Sequence, residues 1–378
     1  MGNRTYQMCT KCIMDTTDSK ITFDENGVCD HCNHYEKEIA PTWSPGTNRF
    51  DELEKVAAKI RSEGKNKPYD CIIGMSGGTD SSYLVYIAKE VMKLRPLIYT
   101  VDTGWNLNVA VENIEKIVKK LDLDLYTEVV DWNEMSQLQL SFLKANVPYQ
   151  DLPQDHVIFA GLYNYAVKNK IRYVLTGSNI STECVRPPIE WVHLNDLKLI
   201  KNIYKTFSGK KLKSVPMCSM FKYRLYYGYL KRMKRVAPLD LIDYDKDKVE
   251  KLLEDEFSWK KYENKHYENI FTRFYEGYYM PYKFGYDKRK PHYSNLILTG
   301  QMTRAQALDK LGEKPYSEKL MVQDKNYIAK KLKISTVEID ELISKDNKTY
   351  KDYKNSYNRI NFFLKIAKFI GIEKRNFR

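Results

Sequence analysis

The 378-residue chain predicts a doubly wound α/β domain with a parallel sheet, preceded by a short cysteine-rich segment and followed by a helical region. Three observations carry that expectation. Short apolar runs alternate with stretches of helical periodicity from residue 70 to about 180, the pattern of repeated strand–helix units. The turn Ser76-Gly-Gly-Thr-Asp-Ser-Ser82 follows the first of those runs. Two pairs, Cys9-Thr-Lys-Cys12 and Cys29-Asp-His-Cys32, open the chain with the spacing C-x2-C-x16-C-x2-C.

The cysteine pairs come first in the chain. Two CxxC turns are what a tetrahedral ion needs, because each offers two thiolates from one tight knuckle. Zinc held by Cys9, Cys12, Cys29 and Cys32 is the expectation, and a full shell of four thiolates makes it structural. His31 and His34 are expected to face solvent. The remaining Cys71, Cys184 and Cys218 show no pairing pattern, and no signal peptide is evident, so a reducing cytoplasm is expected.

Asp70 to Met75 is an apolar run suited to a buried parallel strand, and residues 80–93 place Tyr83, Leu84, Ile87, Ala88, Val91 and Met92 at helical spacing. The Ser76–Ser82 segment therefore turns from strand to helix. Gly77 and Gly78 let the backbone approach a phosphate, Ser76, Ser81 and Ser82 supply hydroxyls, and the helix start supplies unpaired N–H groups. No Lys follows the glycines, so this is not the loop of kinases and GTPases. Asp80 would repel a phosphate unless a magnesium ion lay between them.

Leu97–Asp102 and Leu125–Val130 read as the second and third strands, with a helix from Val109 to Leu121 between them. Ala160–Asn169 reads as a helix, Tyr173-Val-Leu-Thr-Gly-Ser-Asn179 as a fourth strand entering a polar turn, and Val236–Ile242 as a fifth strand. Ligands of such sheets bind at strand carboxyl ends, where Ser76, Asp102, Thr103, Thr176, Gly177 and Ser178 fall.

Composition narrows the partners less. Apolar content of 43% excludes a disordered chain, and no apolar run is long enough to span a membrane, so no membrane partner is expected. The net charge is +13 with thirty tyrosines, and residues 201–235 carry eleven Lys or Arg and no acid, interleaved with aromatics. That stretch suits RNA, a sugar diphosphate, an acidic partner or a solvated face over packed tyrosines, and charge alone does not choose among them.

Ser76-Gly-Gly-Thr-Asp-Ser81 resembles the SGGxDS signature of the PP-loop ATP pyrophosphatases, a superfamily of the adenine nucleotide alpha hydrolase-like fold. The resemblance implies cleavage of ATP to AMP and pyrophosphate and adenylation of a carbonyl oxygen. It makes Ser76, Gly77, Gly78, Asp80, Ser81, Ser82, Asp102, Thr176, Gly177, Ser178 and Lys288 the expected ATP contacts. Asp80 and Glu183 become the expected magnesium ligands. Pro153-Gln-Asp-His-Val-Ile-Phe159, Leu175-Thr-Gly-Ser-Asn-Ile-Ser-Thr-Glu183, the stretch from Trp259 to Glu268, Phe271-Thr-Arg-Phe274, Phe284-Gly-Tyr-Asp-Lys-Arg-Lys290 and Leu298–Leu308 resemble the bacterial N-acetyl-sugar amidotransferases typified by WbpG and PseA. Those enzymes turn an acetamido group of a surface-polysaccharide sugar, in lipopolysaccharide, O-antigen or nonulosonic acid biosynthesis, into an acetamidino group.

The resemblance implies ATP, Mg2+ and Zn2+ as cofactors. It also implies ammonia from a HisH-like glutaminase through a HisF-like channel protein, and no nucleic-acid partner. No glutaminase nucleophile is visible, since position 2 is Gly and none of the cysteines opens a recognisable Cys–His–Glu arrangement. A PP-loop tRNA-thiolating enzyme is the rival within enzymes, and a zinc-bearing RNA-binding module is the alternative outside them. Candidate catalytic residues are Asp80, His156, Lys265 and His266; candidate substrate contacts are Asp155, Arg186 and Arg289. The expected units are 1–45 (zinc), 46–300 (ATP-binding and catalytic, with a basic insertion near 196–235) and 301–378 (helical). Within the last, Ser335-Thr-Val-Glu338 reads as a capping box.

Overall fold

A computed structural model describes residues 4–188, 190–191, 195–262 and 267–369. Five strands, β1 (Cys71–Gly74), β2 (Pro96–Asp102), β3 (Leu125–Val129), β4 (Tyr173–Leu175) and β5 (Lys234–Val236), form one parallel sheet in the order β3-β2-β1-β4-β5. Successive residues of a strand face opposite sides, and the two faces separate accordingly. Ile72, Leu97, Tyr99 and Val174 pack with helices Trp132–Ala145, Leu152–Lys168 and Leu197–Ser208. Cys71, Ile73, Ile98, Tyr173 and Leu175 pack with Phe50–Gly64, Thr79–Tyr86, Asn108–Lys120 and Lys246–Phe257 on the other side. Because β1 sits between β2 and β4, chain order reverses beside it. The carboxyl ends of β1 and β4 therefore open a crevice.

Local chemistry explains where the helices differ from expectation. Trp132–Ala145 adds a helix between β3 and Leu152–Lys168, and Asp131 caps it by accepting the N–H groups of Asn133 and Glu134. Leu197–Ser208 is capped the same way by Asp196 and stopped by Gly209 in the left-handed conformation. The basic stretch therefore belongs to the crossover from β4 to β5. The helix expected from Ala160 begins at Leu152, with Pro153 tolerated in its first turn. The fifth strand ends at Val236. Pro238 has no N–H for a ladder and begins a 3-10 turn over Pro238–Leu241. Ser335 Oγ accepts the N–H of Glu338 at 3.0 Å, one half of the expected box.

A third apolar cluster joins Trp105, just beyond β2, to Phe271, Phe274, Tyr275 and Tyr279, and to Ile328, Leu332, Ile339 and Leu342 of the later helices Glu318–Leu332 and Thr336–Ser344. Lys331 fastens this unit to the sheet. Its ammonium lies 4.2 Å from the Trp132 ring centre and donates to the Gly104 carbonyl. Inside the unit Arg273 makes two bonds to Asp324, at 2.6 and 2.7 Å, and Tyr316 donates to the same carboxylate. Asp324 is 2% exposed. Removing it strands a nearly buried guanidinium, so Asp324→Ala should lower stability by about 3–5 kcal/mol, measured by chemical denaturation against wild type. An unchanged midpoint would contradict this account of the unit.

Candidate active site

The crevice beside β1 holds the predicted loop. Met75 continues from β1, and Gly77 takes φ +84°, a left-handed conformation that glycine adopts without strain. A Cβ there would lie 2.6 Å from the Ala110 carbonyl oxygen. The Gly77 carbonyl is held from behind by Trp259 Nε1 (3.0 Å) and the Tyr262 hydroxyl (3.2 Å). In front, Ser76 N–H donates to Ser81 Oγ at 3.2 Å, and Gly78 N–H to Ser76 Oγ at 3.3 Å. Thr79 and Asp80 begin the helix, whose positive end faces the same space. Gly177 comes from β4 so closely that a Cβ would lie 3.1 Å from the Asp80 carbonyl.

A cavity of about 230 Å³ lies at this junction, lined by Ser76, Gly78, Asp80, Ser81, Gly177, Ser178 and Glu183 among the predicted residues. It shares Ser178, Thr182, Glu183, Lys246, Glu250, Tyr262 and His292 with a cleft of about 620 Å³. Arg186, Lys288 and Arg289 line that cleft. One side of the paired space thus presents the loop and the helix start, and the other is the larger.

Several residues of the site carry no motif. The Tyr244 hydroxyl donates to Asp80. Glu250, 5% exposed, accepts from Thr79 Oγ1 at 3.3 Å and is flanked by Lys261 at 2.6 Å and Lys246 at 3.7 Å. Glu268 accepts from Ser76 Oγ at 3.2 Å. Asp80, Glu183, Glu250 and Glu268 therefore line one cavity, but no three of them bring carboxylate oxygens within 4.8 Å of one another, so a magnesium ion there would take one or two of them and complete its shell with phosphate or water oxygens.

Other predicted residues lie elsewhere or are already engaged. Asp102 accepts the Gly104 N–H at 2.7 Å, and Thr176 pairs its hydroxyl with Ser178 at 3.2 Å; neither lines the two spaces. Ser82 is buried, and its hydroxyl has no hydrogen-bond partner among the described residues. His156 is buried away from both spaces. Its Nε2 accepts the Cys218 N–H at 3.1 Å, so Nδ1 carries the proton and donates to Asn195. Lys288 contacts Glu276 at 2.5 Å. Burial alone lowers its pKa, but Glu276 and Asp151 outweigh that and hold it above the ordinary value. Burial pushes the neighbouring Asp151 carboxyl up to about 8; Asp155 and Glu276 add to the rise and Lys288 opposes it. Asp155 itself is exposed. Arg289 spends its guanidinium on Asp287 and on the carbonyls of Lys310, Leu311 and Glu313. Lys265 and His266 lie outside the described residues.

The four knuckle cysteines are fully buried, with every sulfur within 4.8 Å of the others. The Cys9–Cys32, Cys12–Cys29 and Cys29–Cys32 separations are 3.8, 3.6 and 3.6 Å. A tetrahedron with metal–sulfur bonds of ~2.3 Å has edges of ~3.8 Å, so the sulfurs fit one ion. N–H groups of Lys11, Cys12 and Cys29 point at Cys9 Sγ, at 3.2–3.4 Å, and would stabilise thiolate charge. His31 departs from expectation. It is buried and pairs Nε2 with Asp18 at 2.9 Å, bracing the knuckle instead of facing solvent. The module docks on distant chain: Arg304 donates to the Cys12 and Cys9 carbonyls at 3.1 and 3.0 Å, and Lys290 pairs with buried Asp15 at 2.5 Å.

Residues 268–373 match the C-terminal domain of the WbpG-like LPS biosynthesis proteins. An uncharacterised protein of Methanocaldococcus jannaschii is 27% identical over 129 residues, which are 34% of this chain and 44% of that protein, so the likeness spans less than half of the relative. Among solved structures, the NH3-dependent NAD synthetase of Campylobacter jejuni aligns over 79% of this chain and 98% of its own, with 14% identity and a TM-score of 0.33. The U34-tRNA thiolase NcsA of Methanococcus maripaludis, with its [4Fe-4S] cluster, aligns over 67% and 77%, with 13% identity and a TM-score of 0.30.

Burial is the main cause that lowers the His156 pKa, with Asn195 opposing. The folded state therefore resists a proton that the unfolded chain accepts below about pH 6.5. Stability from this residue is present above that pH and is lost as pH falls through the lowered folded value. His156→Gln should flatten the fall in stability below about pH 6.5, measured as the difference in slope of unfolding free energy against pH. Identical slopes in both proteins would contradict it.

Proposed function

We propose, from the premise that residues 268–373 belong to the WbpG-like C-terminal domain family, that this chain is the synthase subunit of an ATP-dependent amidotransferase acting on an acetamido sugar. The observation that carries the reading is the pairing of a preorganised anion loop with a larger cleft across a shared wall of Ser178, Glu183, Lys246 and Glu250. The loop side takes the ATP pyrophosphate on N–H groups, hydroxyls and a helix start, all aimed where charge develops as pyrophosphate leaves. Magnesium, held by Asp80 and Glu183, would neutralise that charge. The larger cleft takes the sugar. Its acetamido oxygen attacks the α-phosphorus as pyrophosphate departs, ammonia adds to the activated carbon, and AMP leaves with the oxygen.

No enzyme nucleophile enters this sequence, so the work of the chain is positioning and charge. Lys265 and His266 are the candidates for handling the ammonium proton. His156 is better read as a brace, because both of its nitrogens are engaged. Ammonia from a separate HisH-like glutaminase, through a HisF-like protein, completes the reading.

Against tRNA thiolation stands the state of Cys184. Its thiol, mainly through burial, is pushed up to about 12, and it packs against the knuckle cysteines. The test of the reading is incubation with ATP, magnesium, ammonium and a UDP- or CMP-linked acetamido sugar. AMP, pyrophosphate and a sugar that has exchanged oxygen for N–H are expected, and Cys184→Ser should retain the activity. ADP and phosphate as products would reject adenylation, and retained activity in Cys184→Ser would reject thiolation.

We read the cysteine cluster as a structural zinc site. Metal analysis should return one zinc per chain, and Cys29→Ser should lose the metal together with thermal stability. A metal-free wild type of unchanged stability would refute it.

A further inference from the structure

Most cations of the 620 Å³ cleft are already neutralised within the protein. Lys261 and Lys246 flank Glu250, Lys288 pairs with Glu276 at 2.5 Å, and Arg289 with Asp287 at 2.7 Å. Arg235, on β5 beside the end of β4, is held differently. Its Nη2 donates to Ser178 Oγ at 2.8 Å and lies 3.4 Å from Thr176 Oγ1. No carboxylate among the described residues lies within 4.0 Å of it. The acid it influences electrostatically is Asp240, whose carboxylate is turned to the Ile180 N–H at 2.7 Å.

Two properties follow from that setting. Neutral hydroxyls orient the guanidinium without cancelling its charge, which leaves its other N–H donors in a planar fork suited to phosphate or carboxylate. Arg235 is also exposed, and it lines the larger cleft without lining the loop-side cavity. Its charge therefore faces the second reactant and not the departing pyrophosphate. An acetamido group is neutral and gives a protein no charge to grip, so a sugar held for adenylation needs a handle elsewhere.

We propose that Arg235 anchors an anionic group of the acceptor: a phosphate of its nucleotide link or a carboxylate of its sugar ring. This rests on the acetamido-sugar reading above, which names the acceptor. Calorimetry separates the two, because it needs no turnover. A UDP-linked acetamido sugar should bind Arg235→Gln about 10- to 100-fold more weakly than wild type, with Arg235→Lys between them and ATP affinity unchanged in all three. An uncharged acetamido sugar should bind wild type and Arg235→Gln equally. UDP alone and a nucleotide-free acetamido uronate distinguish the sources, since the true anion is the one whose affinity the substitution lowers.

Equal binding of every anionic probe by wild type and Arg235→Gln would overturn the proposal, and so would a loss confined to ATP. Failure of the amidotransferase reading shows differently, as no AMP or pyrophosphate from wild type with any acceptor, whatever the calorimetry gives.

Discussion

The Gly77 carbonyl, held by Trp259 and Tyr262, is the contact on which the rest of the site depends. A peptide unit has two polar ends, and fixing its oxygen behind the loop turns neighbouring amide groups forward. Without that anchor the same glycines would be a mobile turn, and an anion would have to order them at an entropic cost. Gly77 is pressed against Ala110, so loop, following helix and the helix beyond β2 form one rigid corner. Trp259 also belongs to the apolar layer under the sheet. The loop is therefore set by core packing, and its geometry is as firm as the core.

The strand order does the second part. Reversal beside β1 leaves no crossover above the β1 and β4 ends, and only there can a small ligand reach main chain from two strands at once. Gly177 brings β4 against the Asp80 backbone, which joins the two strand ends into a single wall. Beyond that wall, the helices after Tyr267 supply the far side of the cleft through Glu276, Lys288 and His292. The parallel sheet and a helical unit thus enclose a space that neither encloses alone.

The parts legible in sequence are those where chemistry is local in the chain. Ser76–Ser82 and the CxxC pairs are short motifs whose residues act together because they are neighbours, and the parallel strands announce themselves as apolar runs. Glu250, Glu268 and Tyr244 carry no such signal. Each is a single polar residue brought in by a helix or turn more than 160 positions from the loop. His156 shows the converse, since a histidine in a family-like block looks chemical until its burial is known. His31 was hidden for a related reason: nothing in Asp-His-Cys tells that Asp18 waits behind it. Asp131 and Asp196 were readable as caps. The helices they start carry a local signal too, since Met135, Leu138 and Phe142 in one and Leu199, Ile200, Ile203 and Tyr204 in the other recur at helical spacing.

The knuckle module also fixes an order of events. Its four cysteines, Cys9 to Cys32, are neighbours in the chain and can meet without the rest of the fold. The groups that seat it, Lys290, Ser294 and Arg304, arrive 275 to 295 positions later. Throughout synthesis the module is a finished part with no socket, and the buried Asp15 waits for its cation. Contacts of such long range are slow to form. Seating of the module is therefore a late event, and a chain cut short before residue 290 would carry the Ser76–Ser82 loop without the seat for the knuckles.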